Sequence, residues 1–199
     1  MIKVKSVSIV RDGATVLDKF SLLAKSGEIT ALVGPNGSGK SSLISAIAGD
    51  LPFAKGSIEI ANQNLTALPI SDQAKLRSVV LQNQAFNLAF TVREIIHMGA
   101  QSVSAVDQVI KQLALDDVKD EVVTKLSGGQ TQRVAIAAAL AQESPIFIAD
   151  EPFASQDKES VKRIISLLKK RAATGSTVLI VAHASQRELD WVDQIFQIR

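Results

Sequence analysis

The 199-residue sequence predicts an α/β fold, in which helices pack against a parallel sheet. The first observation is three short apolar runs without helical period, at 29–33, 145–149 and 177–182, which predict buried strands. The second is the presence of stretches with helical spacing between them, at 41–48 and 158–172. Strands that alternate with helices form parallel sheets, because a parallel neighbour can be reached only through a crossover connection.

A third observation is a pair of alternating segments at the amino end, which predicts an antiparallel β-layer ahead of the parallel core. Residues 2–10 and 15–23 alternate between side-chain classes, as strands with one buried face do. Asp12 and Gly13 between them form a turn signal that joins antiparallel strands.

The stretch 91–124 shows helical spacing and no convincing strand, which predicts a small helical insertion between core strands. The apolar residues that carry this spacing are Val92, Ile95, Ile96, Val106, Val109, Ile110 and Leu113. With no internal repeat and no linker, we expect one domain over 1–199, with a helical subdomain at approximately 86–140. We also expect Trp191 to pack within a last helix.

Composition excludes several classes of protein. The longest apolar run, 134–141, has eight residues, whereas a membrane-spanning helix needs about 18. The amino end lacks the apolar core of a signal peptide. The chain has no cysteine, and therefore no disulfide or thiolate metal site. A formal net charge of +2 gives no reason to expect a nucleic-acid partner.

A glycine-rich stretch between a predicted strand and a predicted helix matches the phosphate-binding P-loop pattern. It runs Gly34-Pro35-Asn36-Gly37-Ser38-Gly39-Lys40-Ser41 and is followed by Ser42. Its glycines let backbone N–H groups converge on phosphate oxygens, while Lys40 reaches the terminal phosphates and the Ser41 hydroxyl contacts Mg²⁺. A chance turn containing Lys-Ser is the alternative, and it does not account for the flanking strand and helix.

Two carboxylates, Asp150 and Glu151, end the apolar strand that begins near residue 146. Functional groups of open α/β sheets gather at the carboxyl ends of the strands. Asp150 therefore suits a Mg²⁺ shell, and Glu151 is placed to polarise an attacking water. The alternative is a strand that ends in exposed acids, and the P-loop upstream favours the functional interpretation.

A second glycine-containing motif, Leu126-Ser127-Gly128-Gly129-Gln130, precedes a run with helical character at 131–142. A hydroxyl and free N–H groups at a helix amino terminus can bind an anion. The alternative is a simple helix cap made by Ser127.

The three motifs, in this order and spacing, resemble the nucleotide-binding domain of ABC transporters over nearly the whole chain. The resemblance implies the ABC ATPase fold, a P-loop NTPase core with ATP and Mg²⁺ as ligands. It also implies a head-to-tail pair of domains, most simply a homodimer. In that pair, residues 126–130, here called the signature loop, cover the γ-phosphate bound by the other copy. The residues to which this gives a role in trans are Ser127, Gly128, Gly129 and Gln130.

The resemblance assigns further roles that the residues alone would not suggest. Gln82 is implied to sense Mg²⁺ and water, His183 to contact the γ-phosphate, and Asp157 to couple the two ATP sites. Lys40 and Glu151 complete the implied catalytic set. Taken alone, Gln82 would be a surface polar residue and His183 a structural histidine.

Besides Ser42, which replaces the usual threonine, three positions depart from the family's pattern. Many members place an aromatic residue ahead of the P-loop to stack on adenine, and here that position is Arg11. A guanidinium plane can stack on a base, or Arg11 can be an exposed turn residue. Gln156 stands where leucine is usual, and Ala138 stands where arginine is frequent.

The segment 88–99 resembles the ATPases of iron-chelate importers, those for haem, siderophores and cobalamin. Its apolar residues could equally belong to the core of the helical insertion. The resemblance implies an energy-coupling subunit on the cytoplasmic face of the membrane, peripheral to it. Its expected partners are an integral membrane permease and a substrate-binding protein, and nucleic acid is not among them.

Two other classes compete with this interpretation. A soluble ABC ATPase that acts in cofactor assembly, of the iron–sulfur type, has the same motifs. It would differ from a transporter subunit only in its partners. A P-loop kinase or GTPase would have to match the remaining motifs by chance.

Overall fold

The computed structural model describes residues 1–82, 86, 89–182 and 186–198. Its strands are β1 (Ile2–Arg11), β2 (Ala14–Ala24), β3 (Ile29–Val33), β4 (Lys55–Ile60), β5 (Gln63–Asn64), β6 (Arg77–Val80), β7 (Ile146–Asp150), β8 (Thr177–Val181) and β9 (Gln194–Gln197). Its α-helices are α1 (Lys40–Ile47), α2 (Ile70–Leu76), α3 (Val92–His97), α4 (Val103–Gln112), α5 (Gly128–Ala141) and α6 (Lys158–Ala173).

The strands form two sheets, and the predicted fold class is confirmed. A five-stranded parallel sheet has the order β6-β7-β8-β3-β9, and a four-stranded antiparallel sheet has the order β2-β1-β4-β5. The hairpin of β1 and β2 turns at Asp12-Gly13, as predicted. The predicted strands at 29–33, 145–149 and 177–182 correspond to β3, β7 and β8 in the middle of the parallel sheet.

Central strands of the parallel sheet are buried on both faces. In β7, Phe147 and Ala149 face the core formed with the helical insertion and α6, whereas Ile146 and Ile148 face the core formed with α1 and the antiparallel sheet. This double burial explains why β7 and β8 are continuous apolar runs rather than alternating ones. The P-loop and the end of β7 therefore lie on a rigid sheet that is covered on both sides.

The helical insertion consists of α3, α4 and α5 and connects β6 to its parallel neighbour β7. Polar side chains cap each of these helices. Thr91 and Glu94 form a capping box on α3, Ser102 caps α4, and Ser127 and Gln130 form a capping box on α5. The exact extent of the subdomain, predicted as about 86–140, stays a prediction. Within the described part of the chain, no helix is long and apolar enough to cross a membrane.

The carboxyl-terminal segment differs from the sequence prediction. Trp191 lies not in a helix but in the turn between a short 3₁₀ helix (Gln186–Leu189) and β9. It packs edge-on against Phe153, with ring centroids 5.8 Å apart. The expected packing role therefore holds, while the expected helix was wrong.

Candidate functional site

The P-loop connects the end of β3 to the start of α1, and two of its glycines lie where no side chain fits. At Gly34 a Cβ atom would lie 2.6 Å from the carbonyl oxygen of Ile198. At Gly39 it would lie 2.8 Å from the carbonyl oxygen of Val16, and the φ angle of +93° is one that other residues avoid. The loop is therefore held closely against β2 and the end of the chain beyond β9.

Lys40 places its ammonium group across the loop. The side chain is only 5% exposed, and Nζ donates to the carbonyl oxygens of Gly34 at 2.9 Å and Pro35 at 2.8 Å. Among the described residues its hydrogen bonds go to neutral oxygens, so its charge is available to an anion nearby. The loop thus carries a fixed positive charge at its centre.

The start of α1 offers further donors for an anion. Within the described part of the chain no side chain caps this helix, whose first turn contains Ser41 and Ser42. Ser38 supports the same interpretation, because its hydroxyl is buried and has no hydrogen-bond partner among the described residues. Buried polar groups are nearly always paired, so an orphaned hydroxyl in this loop fits a phosphate oxygen as its partner.

One cleft of about 510 Å³ brings most of the predicted site together. It is lined by Arg11, Val16, Asn36, Gly37, Gly39, Lys40, Ser41, Ser42, Gln82 and Glu151. These residues come from β1, β2, the P-loop, α1 and the ends of β6 and β7, which is how a parallel sheet collects a site at one edge. The sequence did not predict Val16, whose place is set by the β1–β2 hairpin rather than by a motif.

Backbone geometry separates the two carboxylates. Asp150 is the last residue of β7 and is 2% exposed. Glu151 follows with φ of +53°, and its N–H donates to the carbonyl oxygen of Val181 at 3.1 Å. Positive φ is uncommon for a residue with a Cβ and recurs at functional sites. The turn leaves Asp150 buried and brings Glu151 to the wall of the cleft.

The oxygen-bearing side chains at this edge suit Mg²⁺, which prefers hard oxygen ligands. Ser41 and Gln82 line the cleft, and Asp150 lies one residue before the lining Glu151. Within the described residues, no group of three histidine, aspartate, glutamate or cysteine side chains could hold a metal. Ser41, Gln82 and Asp150 together offer oxygen atoms of the kind that Mg²⁺ prefers.

The signature loop lies outside this cleft in the same chain. Ser127 accepts from the Gln130 N–H at 3.4 Å, and the Gln130 amide oxygen accepts from the Ser127 N–H at 2.9 Å. The capping alternative is thus realised. Ser127 and Gly128 remain exposed, and Gly128 lines a neighbouring cleft of about 330 Å³ that Gln82 and Glu151 also line.

The remaining predicted residues fall elsewhere. Asp157 caps α6, and its carboxylate accepts from the N–H groups of Glu159 and Ser160 and from the Ser160 hydroxyl, at 2.8 to 2.9 Å. The Ser160 N–H, followed by the Ser160 hydroxyl, lowers the pKa of Asp157. His183 lies outside the described residues.

Comparison with known proteins relates this arrangement to one family. Residues 17–154 match the family model described as "ABC transporter". The hemin import ATP-binding protein HmuV of Thermobifida fusca is 35% identical over 191 residues, which cover 91% of this chain and 67% of that protein. The manganese transport system ATP-binding protein MntB of Listeria monocytogenes is 33% identical over 207 residues, which cover 97% of this chain and 84% of that protein.

Solved structures agree with the sequence relatives. The dimeric structure of MJ0796, a bacterial ABC transporter cassette, matches with a TM-score of 0.87 and 29% identity, covering 100% of this chain and 94% of that chain. The chain spans about two thirds of the length of the hemin import protein. The chain belongs to the ABC transporter family, as one of its ATP-binding and ATP-hydrolysing domains.

Proposed function

We propose that the chain is the energy-coupling subunit of a membrane importer and that the cargo is an iron chelate such as haem. The observation that carries the ATPase part is the single cleft that Lys40, Ser41, Gln82 and Glu151 line together. The hemin import relative supports the cargo, in agreement with the resemblance of segment 88–99. The manganese transport relative favours a second candidate, import of a metal ion.

Binding of ATP follows from the loop and the helix start. Lys40 and the uncapped amino end of α1 neutralise the phosphates, while the Ser38 hydroxyl gains the partner that it lacks within the described chain. Ser41, Gln82 and Asp150 would hold Mg²⁺, the last through water. Bound there, Mg²⁺ would supply charge neutralisation to the phosphate oxygens.

Hydrolysis requires an oriented water and stabilisation of the charge that develops on the transferred phosphoryl group. Glu151 lines the cleft with its backbone fixed by Val181, so its carboxylate is the group placed to orient and polarise that water. The role of His183 at the γ-phosphate rests on the family resemblance.

Assembly in a head-to-tail dimer would explain why the signature loop is exposed and does not line the P-loop cleft of its own chain. Ser127 and Gly128 are exposed and lie beyond the P-loop cleft, so they are accessible to a nucleotide held by a second copy. The dimeric bacterial cassette supports the same assembly. Asp157, in the loop between Glu151 and α6, would couple the two sites.

Base recognition falls to Arg11 in this proposal. The end of β1 and the start of β2 bring Arg11 and Val16 to the cleft that the P-loop lines. The guanidinium plane would stack on adenine, with Val16 as an apolar neighbour.

The proposed permease contact lies beside Gln82. Leu81, which precedes the glutamine, and Phe90, eight positions after it, are exposed apolar residues, and Met98 is 60% exposed at the end of α3. Apolar side chains of this kind are the usual anchors for a partner's helix. The chain would then reach the cytoplasmic face of the membrane through its permease.

The test is capture of the closed complex from native membranes. A tagged Glu151→Gln chain with ATP should retain a multi-spanning permease, identified by mass spectrometry, because slow turnover prolongs the ATP-bound state. Recovery of only soluble proteins would contradict the importer proposal and favour the cofactor-assembly alternative. Uptake assays with labelled haem and with manganese, in cells that express the captured permease, would then separate the two cargoes.

A further inference from the structure

The loop after Glu151 is tied to the signature loop of the same chain by one side chain. Gln156 Nε2 donates to the carbonyl oxygen of Gly129 at 3.0 Å. Beside this bond the two backbones touch, because a Cβ atom on Gly129 would lie 2.7 Å from the carbonyl oxygen of Ser155. We call residues 151–157 the catalytic loop, and the Gln156–Gly129 bond the Gln156 link.

A second contact lies one turn further along α5, at the start of α6. Arg133 Nη1 donates to the Ser160 hydroxyl at 2.8 Å and lies 3.8 Å from a carboxylate oxygen of Asp157. The start of α5 is thus held to the catalytic loop and to the first turn of α6. Glu151 begins the catalytic loop, so both contacts are made to the segment that carries it.

The chemistry of Gln156 argues that this position serves more than packing. Its amide oxygen is buried and has no hydrogen-bond partner among the described residues. A buried acceptor of this kind is unfavourable, and leucine, the residue usual here in the family, would avoid that cost. The donor half of the amide is therefore the part that explains the choice of glutamine.

We propose that Gln156 is a positioning residue for ATP hydrolysis, acting through the Gln156 link. When the signature loop engages the nucleotide of the partner copy, the link carries that engagement to the catalytic loop of its own chain and places Glu151. The inference rests on the proposed dimeric ATPase and adds to it a contact that the family's usual leucine cannot make.

Two variants of Gln156 distinguish loss of the hydrogen bond from a change of charge or of side-chain shape. Gln156→Leu removes the donor without adding charge, and Gln156→Glu keeps the shape but turns only acceptors toward the Gly129 carbonyl. We expect kcat for ATP hydrolysis to fall about five- to tenfold in the first and further in the second, since one hydrogen bond is involved. ATP affinity should stay within about twofold, because Gln156 is not among the residues that line the P-loop cleft.

Matched controls are Gln108→Leu and Gln108→Glu, at an exposed position of α4. Both controls should retain wild-type kcat, and all four variants should keep the thermal midpoint of unfolding within a few degrees. Unchanged kcat in Gln156→Leu would overturn the proposal, as would slowing confined to Gln156→Glu, which would indicate a charge effect. Loss of ATP affinity in parallel with kcat would also overturn it. An inactive wild type would instead refute the proposed function itself.

Discussion

At the scale of single residues, the site separates binding from chemistry. Lys40 is buried within the loop that it neutralises, and its Nζ contacts two loop carbonyls. Glu151 lies across the cleft at the end of a different strand, with its backbone held by Val181. Because the two residues contact different parts of the nucleotide in the proposed function, their variants should fail in different ways.

We expect Glu151→Gln to bind ATP with unchanged affinity and to lower kcat by about a hundredfold or more, the usual contribution of a general base. Lys40→Ala should instead weaken ATP binding by about 30-fold, because a charged hydrogen-bond donor to phosphate is lost. Equilibrium binding of a fluorescent ATP analogue and single-turnover hydrolysis measure the two effects separately. Normal turnover by Glu151→Gln would contradict the assignment of Glu151.

Motif residues could be predicted from the sequence because their geometry is set locally. The P-loop, the paired carboxylates and the signature loop are each a run of consecutive residues. Each run lies next to elements with a clear hydrophobic pattern. Val16 and the Gln156 link could not be predicted in this way. Val16 reaches the cleft through the register of a hairpin, and Gln156 meets Gly129 across 27 positions of chain.

At the scale of elements, the strands that the sequence analysis missed are β4, β5, β6 and β9. β6 and β9 are the two edges of the parallel sheet, and β4 and β5 complete the antiparallel layer. Edge strands are short and less apolar than central ones, so their pattern is weak. Tertiary contacts therefore determine where these strands form. In contrast, β3, β7 and β8 are buried almost throughout, so their sequences are continuous apolar runs.

Arg171 joins two elements of the core and should contribute measurably to stability. From α6 it donates to the carbonyl oxygens of Leu140 at 3.3 Å and of Ser144, where α5 ends. Burial lowers the pKa of its guanidinium, which nevertheless stays charged at neutral pH. Arg171→Leu should lower the free energy of unfolding by about 2 kcal/mol, or about 5 °C in the thermal midpoint.

The neighbouring Lys169→Leu is the control for Arg171, because it removes the same charge from an exposed position of α6. It should change the free energy of unfolding by less than about 0.5 kcal/mol. Equal effects of the two substitutions in urea unfolding would show that the carbonyl contacts of Arg171 are not what stabilises the junction.

The α6 cap predicts how stability depends on pH. Hydrogen bonds from Ser160 lower the pKa of Asp157 in the folded state, so its contribution is present above the unfolded pKa of about 3.9 and is lost as pH falls through the folded value. Asp157→Asn keeps a capping oxygen but cannot ionise. The wild type should therefore exceed this variant in thermal midpoint by a constant amount above about pH 5, and by less as pH falls below about 4.

The comparison for Asp157 is made by circular dichroism without nucleotide, so that dimer formation does not contribute. Asp116→Asn, at an exposed 3₁₀ turn, removes the same charge without removing a helix cap. A difference between wild type and Asp157→Asn that stays constant from pH 8 to pH 3.5 would contradict the role assigned to the ionised cap.

At the scale of the whole molecule, the proposed dimer divides each ATP site between the P-loop cleft of one copy and the signature loop of the other. The P-loop cleft is lined by β1, β2, α1 and the ends of β6 and β7, whereas the signature loop begins α5 in the helical insertion. A complete site therefore needs a second copy in the proposed dimer.

Complementation tests this arrangement directly. A Lys40→Ala chain retains an intact signature loop, and a Ser127→Arg chain retains an intact P-loop, so each homodimer has two defective sites. A mixed dimer built head to tail has one site in which both halves are intact. An equal mixture should therefore recover ATP hydrolysis of about a quarter of the wild-type rate, since about half of the dimers are mixed and each has one complete site.

The recovered rate of hydrolysis should depend on protein concentration in the same way as dimer formation does. The test requires that both variants are folded and that cross-linking shows mixed dimers. A mixture that then stays as inactive as its components would contradict the composite site, because a complete site would be present without hydrolysing ATP.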